Sequence, residues 1–125
     1  MNRVLVDTDV LINFLRGKEA VRNFLISASD DSKLYISAIT IAEIYAGMRK
    51  HETGETENLL KGFHVVDVSA ETARIAGHLK NKETSRELDD CMIAACAISV
   101  GARLATGNVK HFPMMKNLTK PYRKS

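Results

Sequence analysis

The sequence predicts an α/β domain with a parallel sheet of four or five strands flanked by helices. Four short, mostly apolar runs have the length of buried strands, and segments with helical periodicity separate them. No hairpin signature joins two successive runs, which favours parallel pairing. With 125 residues, of which 45% are hydrophobic and 26% are charged, the chain fits one domain covering residues 1–125.

The elements are assigned in order along the chain. Asp9 is a candidate N-cap for the first helix and Gly17 ends that helix, while Ser69 and Gly101 mark the start and the end of later helices. The predicted strands are 3–7, 34–36, 63–68 and 103–106. The predicted helices are 10–16, 19–29, 40–49, a short one ending near 61, one after 69 and 90–100. Residues 51–56 are predicted to form a polar loop and residues 80–87 an exposed charged segment.

Composition excludes some locations and leaves the partner open. The 18 Lys and Arg against 15 Asp and Glu give a net charge of +3, which fits a phosphate-rich partner and an ordinary soluble surface equally well. The apolar run before Asp7 is too short for a signal peptide, and no run is long enough to cross a membrane. Cys91 and Cys96 point to different faces of a helix, which predicts free thiols. We therefore expect a cytoplasmic protein.

Polar residues stand where two predicted strands end. In parallel sheets, ligands bind beyond the carboxyl ends of the strands. Asp7 ends the first strand, where a carboxylate is costly to bury without a partner such as a metal ion, and Asn108 follows the fourth strand. Each also has a simpler interpretation, because Asp7 can accept backbone N–H groups in its turn and Asn108 can be a turn residue.

Two further acids lie in apolar helices. Glu43 has apolar neighbours, which suits an acid of a functional site. Its spacing from Thr40 is that of a capping box, however, and the spacing alone favours the capping interpretation. Asp90 opens the most apolar helix and shares its buried stripe. Asp89 is an equally good partner for the helix dipole, so spacing prefers Asp90 only slightly.

The common placement of these residues indicates a metal site. Carboxylate and amide oxygens select hard cations such as Mg²⁺ or Mn²⁺. The histidines, at 51, 64, 78 and 111, lack the paired spacing of a zinc site, and there is no Gly-rich phosphate loop or Ser-His-Asp pattern. A carboxylate-held metal suits phosphodiester hydrolysis, because it lowers the pKa of bound water and neutralises charge on the phosphate.

Four segments, taken in order, resemble the PIN-domain ribonucleases, and especially the VapC toxins of bacterial and archaeal toxin–antitoxin pairs. These segments are 6–12 (VDTDVLI), 37–47 (SAITIAEIYAG), 90–97 (DCMIAACA) and 104–112 (LATGNVKHF). The ordered set is more specific than any one segment, and it spans nearly the whole chain. The resemblance implies a Rossmann-like three-layer domain that cleaves RNA with Mg²⁺ or Mn²⁺, forms a homodimer and is inhibited by a cognate antitoxin protein.

The resemblance also assigns roles to residues. Asp7, Glu43 and Asp90 match the family's three acids, which are catalytic and hold the metal. Asn108 falls at the fourth catalytic position, which is an acid in many members and Asn in others. The hydroxyl-bearing positions that line the site correspond to Thr8 and Thr106.

The sequence departs from the family pattern at several positions. Asp9 stands where Asn or Ser is commoner, which either adds an acid to the site or caps the helix. Asn108 carries no charge, so the number of metal ions is left open. His111 replaces a frequent acid, and residues 82–88 lack the Gly and the Ile-Pro often found before the third acid.

Two alternatives belong to other functional classes. A strand ending in Asp7-Thr8-Asp9 is similar to phosphatases of the haloacid dehalogenase type, in which Asp7 would be a nucleophile, but the chain is short and lacks a clear catalytic lysine motif. The second alternative is a non-catalytic PIN-like interaction module, in which the acids need not converge.

A basic tail at about 116–125 is a candidate RNA-binding element. It contains Lys116 and Lys120, and Lys110 lies nearer the predicted site. A solvated C-terminus explains the same charges equally well.

Overall fold

In the computed structural model, residues 2–119 are described, and they contain a parallel five-stranded sheet. The strands are β1 (Asn2–Val6), β2 (Ser32–Ser37), β3 (His64–Val66), β4 (Arg103–Ala105) and β5 (Leu118–Thr119). Their order is β3-β2-β1-β4-β5, and every neighbouring pair is parallel. The helices are α1 (Thr8–Leu15), α2 (Glu19–Asp31), α3 (Ala38–Gly47), α4 (Thr53–Leu60), α5 (Ala70–Lys82) and α6 (Leu88–Ser99). The α/β prediction is confirmed.

The sheet lies between two helical layers because successive strand residues face opposite sides. Val4 and Val6 of β1 pack in a cluster with α1 and α2 on one face. Leu5 points to the other face, where it packs in a cluster with α6. The small side chains of α6 bring that helix close to the sheet, and α5 covers its outer side. This is the three-layer arrangement that the resemblance implies.

Two helix ends depend on glycine. Gly17 after α1 has a φ of 79°, and Gly101 after α6 has a φ of 64°. L-residues with a Cβ rarely adopt this left-handed conformation, which explains why these two helices end where the sequence predicts.

The first helix begins earlier than predicted. Asp7 has an extended backbone, and its side chain accepts a hydrogen bond from the Thr8 backbone N–H at 2.8 Å, so Asp7 is the N-cap of α1. Asp9 therefore lies within the first turn, and the prediction that Asp9 caps this helix is wrong. A carboxylate in this turn still interacts favourably with the helix dipole.

The third helix also begins earlier than predicted. Its N-cap is Ser37, whose Oγ accepts a hydrogen bond from the Ile39 backbone N–H at 3.0 Å. Thr40 lies inside the helix, so the capping-box interpretation of Thr40 and Glu43 is wrong. The carboxylate of Glu43 is consequently available for other contacts.

Smaller differences concern short elements. The loop predicted at 51–56 is instead a 3₁₀ turn (Lys50–Glu52) followed directly by α4. Strand β5 was missed because two residues carry no periodic signal. Its position depends on pairing with β4, where Leu118 lies opposite Leu104.

Two predictions about composition can be compared with the structure. No helix within residues 2–119 combines the length and the apolar character that a membrane span requires. Cys91 and Cys96 are both buried free cysteines, which confirms the prediction of free thiols.

Candidate active site

Asp7 occupies the point where the sheet order reverses. It follows β1 directly, and its backbone N–H donates to the Ala105 carbonyl of the neighbouring β4 at 2.9 Å. The chain runs from β1 toward β2 on one side and returns to β4 on the other, and such a switch point opens a crevice at the carboxyl ends of the strands. Thr106, which follows β4, donates a hydrogen bond to Asp7 Oδ2 at 2.8 Å.

The environment of Asp7 disfavours its charge. The residue is 5% exposed. Burial raises the pKa of Asp7 to about 7, and repulsion by Asp9 adds to that rise, whereas the hydrogen bonds from Thr106 and from the Thr8 backbone oppose it. A carboxyl group that ionises near neutral pH is typical of functional sites, although structural networks also produce one.

Asp9 belongs to the same region. Its Oδ2 accepts a hydrogen bond from the Gly107 backbone N–H at 3.0 Å, which ties α1 to the segment after β4. Of the two interpretations of this departure from the family pattern, an added acid near the site is the one the contacts favour.

Thr8 links Asp7 to Glu43. The Thr8 hydroxyl donates to Glu43 Oε1 at 2.7 Å and lies 3.0 Å from the Thr40 hydroxyl. Burial is the largest cause that raises the pKa of Glu43, and contact with Asp89 and repulsion by Asp90 raise it further, while the bond from Thr8 lowers it. Glu43 therefore faces the first turn of α6.

The acids of α6 divide between two partners. The Asp90 side chain is 18% exposed, and its Oδ2 lies 3.7 Å from His111 Nδ1. Burial and Asp89 raise the pKa of Asp90, while His111 and Arg86 lower it. Asp89 is exposed, and its hydrogen-bonding interaction with Glu43 raises the pKa of that residue.

The sequence did not predict the contact of Asp89 with Glu43 or that of His111 with Asp90. Sequence reasoning set Asp89 aside in favour of Asp90, although apolar residues follow Asp89 at the same helical spacing. It noted His111 only as a replacement for an acid, and no spacing signal connects position 111 with position 90. The short 3₁₀ turn at Val109–His111 brings the two together.

Asn108 lies at the same edge of the sheet. Its backbone N–H donates to Thr106 Oγ1 at 2.9 Å, and its carbonyl accepts from the His111 backbone N–H at 2.9 Å. Asn108 thus connects two parts of the site. One is the Thr106 hydroxyl, which binds Asp7, and the other is the turn that contains His111, the neighbour of Asp90.

The acids form two adjacent groups around Thr8, with Asp7 and Asp9 in one and Glu43, Asp89 and Asp90 in the other. Within residues 2–119, no three Asp, Glu, His or Cys side chains already stand as a ligand set for one ion. The donor chemistry nevertheless fits a hard dication, because carboxylate oxygens are its preferred ligands and the pKa values of Asp7, Glu43 and Asp90 are all raised.

The candidate RNA-binding lysines lie outside this cluster. Lys110 and Lys116 are exposed, and the Lys110 carbonyl accepts a hydrogen bond from Arg86 at 3.3 Å. Lys120 lies outside the described residues. RNA binding by these side chains stays a prediction.

The fold is that of the PIN domain: the PIN domain family model matches residues 4–114, and the chain belongs to that family. Ribonuclease VapC10 of Mycobacterium tuberculosis is 42% identical over an alignment of 123 positions, which covers 95% of this chain and 92% of the relative. Ribonuclease VapC19 of the same organism is 35% identical over 94% of this chain and 98% of the relative. The resemblance to VapC-type PIN domains is confirmed, and the haloacid dehalogenase alternative is wrong.

Solved structures share the fold. A toxin–antitoxin complex from Klebsiella pneumoniae contains a chain with a TM-score of 0.86 and 28% identity, covering 97% of this chain and 99% of that chain. FitAcB from Neisseria gonorrhoeae has a TM-score of 0.76 and 27% identity, covering 94% of this chain and 97% of that chain.

Proposed function

We propose that this protein is a metal-dependent endoribonuclease that hydrolyses RNA phosphodiester bonds as the toxin of a type II toxin–antitoxin pair. The observation that carries the proposal is the buried Asp7 at the sheet's switch point, connected through Thr8 to Glu43. Two relatives with 42% and 35% identity over nearly the whole chain are named ribonucleases, which supports the same chemistry.

We propose Asp7, Glu43 and Asp90 as the residues that hold Mg²⁺ or Mn²⁺. A bound dication supplies hydroxide near neutral pH and neutralises charge on the phosphate. The raised pKa values support the assignment, because a nearby dication favours the ionised form of each carboxyl. The side chains of Glu43 and Asp90 would have to move toward Asp7, since the three do not already form a ligand set.

The remaining residues would orient these acids. Thr106 and the Thr8 backbone each hold one oxygen of Asp7, and the Thr8 hydroxyl holds Glu43. Asn108 takes the family's fourth position with a neutral amide, which contributes an oxygen or a donor without adding repulsion.

Cleavage of a labelled RNA tests the proposal. We expect turnover in Mn²⁺ or Mg²⁺, none in EDTA, and a loss of at least about 100-fold in kcat/KM for Asp7→Asn, Glu43→Gln and Asp90→Asn. Asp30→Asn is the matched control, because Asp30 is exposed at the end of α2. RNA that stays intact at every metal concentration, with melting unaffected by Mn²⁺, would instead identify a non-catalytic interaction module.

The proposal includes partners. VapBC and related toxin–antitoxin complexes among the structural neighbours support a cognate antitoxin, which we expect to inhibit cleavage. A homodimer and a cytoplasmic location complete the proposal. Light scattering of the purified chain checks the dimer, because a monomer at micromolar concentration would contradict it.

A further inference from the structure

A groove beside the candidate active site has the size and composition for a nucleotide. It lies between the C-terminal part of α1 and the end of α3, and its volume is about 410 Å³, within the range of small-molecule sites. Ile12, Leu15 and Met48 give it apolar walls, and Glu43 also lines it. The groove is therefore continuous with the acids that we propose to hold the metal.

Two exposed arginines line the same groove. Arg16 follows the last residue of α1, and Arg49 follows α3 by two residues. In the part of the chain that the structure describes, neither guanidinium forms an ion pair. Glu52 also lines the groove, but its Oε1 accepts the Arg49 backbone N–H at 2.7 Å, which occupies one of its oxygens. The arginines can therefore each form paired hydrogen bonds with a phosphate.

We propose that this groove binds a nucleotide of single-stranded RNA next to the scissile phosphate, with the base against the apolar walls and the flanking phosphates on Arg16 and Arg49. The inference rests on the proposed ribonuclease function and gives the position of its substrate. The two arginines favour RNA as the occupant, because each guanidinium can bind phosphate oxygens and offset the repulsion that Glu43 and Glu52 exert on a phosphate chain. Apolar contact with a base is tolerant of sequence.

Binding of a fluorescein-labelled single-stranded RNA of about eight nucleotides tests the inference. Fluorescence anisotropy is measured in EDTA, so that no cleavage occurs. We expect Arg16→Ala and Arg49→Ala each to weaken binding at least about fivefold and to lower the slope of log Kd against log salt by about 0.7. Arg74→Ala is the matched control, since Arg74 is exposed on α5, outside the groove, and is expected to stay within about twofold of wild type.

A second measurement tests the apolar walls. A series of RNAs is prepared in which a single abasic nucleotide occupies each position in turn. At one position the missing base is expected to weaken binding to wild type and to leave binding to Leu15→Asp unchanged. If the ratio of the Kd values of wild type and Leu15→Asp is the same for every abasic RNA, the base does not enter the groove and the inference fails.

Two other outcomes overturn the inference. The first is that Arg16→Ala and Arg49→Ala bind RNA with the same Kd as Arg74→Ala. The other is a labelled deca-glutamate peptide that binds wild type and is lost in the groove variants while RNA binding is kept, which assigns the groove to a protein partner. RNA bound normally but never cleaved contradicts the proposed function alone, whereas cleavage with unaltered binding in the arginine variants contradicts the groove alone.

Discussion

Asp7→Asn is expected to make the metal-free protein more stable above neutral pH. Burial and Asp9 raise the pKa of Asp7 from 3.8 to about 7. Well below pH 3.8 the folded and unfolded chains both hold the proton, so the ionisation of Asp7 does not contribute to the free energy of unfolding. As the pH rises the unfolded chain loses the proton first, so the native state becomes progressively less stable until the loss is complete above about pH 7.

The magnitude follows from the difference between the two values. At about 1.4 kcal/mol per pH unit, the difference corresponds to about 4 kcal/mol of lost stability at pH 8. Asn carries no charge and keeps one oxygen to accept the Thr8 N–H bond that caps α1. Because relaxation and entering water reduce the penalty, we expect Asp7→Asn to gain about 1–4 kcal/mol, which is several degrees in Tm.

Urea unfolding in EDTA from about pH 4 to pH 8 measures the effect. The advantage of Asp7→Asn over wild type should grow between about pH 4 and pH 7 and then level off. Addition of Mn²⁺ at pH 8 should stabilise wild type and leave Asp7→Asn unchanged, because a ligand stabilises the state that binds it. Asp30→Asn, at an exposed position, should show neither behaviour.

The reasoning is refuted if Asp7→Asn is less stable than wild type at pH 8, or if the difference between them does not depend on pH. Either result would mean that hydrogen bonds to the carboxylate outweigh its burial. The candidate metal site would then lack its electrostatic rationale.

Three further predictions concern residues around the site and at helix ends. Thr8→Val removes the donor to Glu43 Oε1 and should reduce kcat/KM at least about tenfold without loss of fold by circular dichroism, while Thr8→Ser should restore activity. Thr106→Val removes a hydrogen bond that lowers the pKa of Asp7, so the acidic limb of the pH–rate profile should move to higher pH; an unmoved limb would contradict this. Gly101→Ala should cost about 1–2 kcal/mol by urea unfolding because φ is 64°, whereas Gly77→Ala, inside α5 with open space around its Cβ position, should gain about 0.5–1 kcal/mol.

Much of the fold could be predicted from the sequence because its strongest signals are local. Residues 4–6 of β1 are buried on both sides of the sheet, and so this part of the strand is continuously apolar. The rule that ligands bind at the carboxyl ends of parallel strands then directed attention to Asp7 and Asn108, which the structure joins through Thr106.

The details that could not be predicted depend on contacts between distant residues. Asp7 caps its own helix, so α1 starts before the residue that sequence rules selected as the cap. The pairing of Asp90 with His111 and the approach of Asp89 to Glu43 require the packed positions of α3, α6 and the turn after β4. Spacing along the chain contains no information about such distances.

The two strand-to-helix junctions of this site contain almost no loop, and this constrains how the chain can vary in length. Only Asp7 separates β1 from α1, and α3 starts at the residue after β2. A residue inserted at either junction would have to rotate the helix by about 100° or shift the strand to its other face, carrying the acid away from its neighbours. Changes in length should therefore be tolerated in the connection at 83–87, and a single added residue at 7 or 37 should abolish activity.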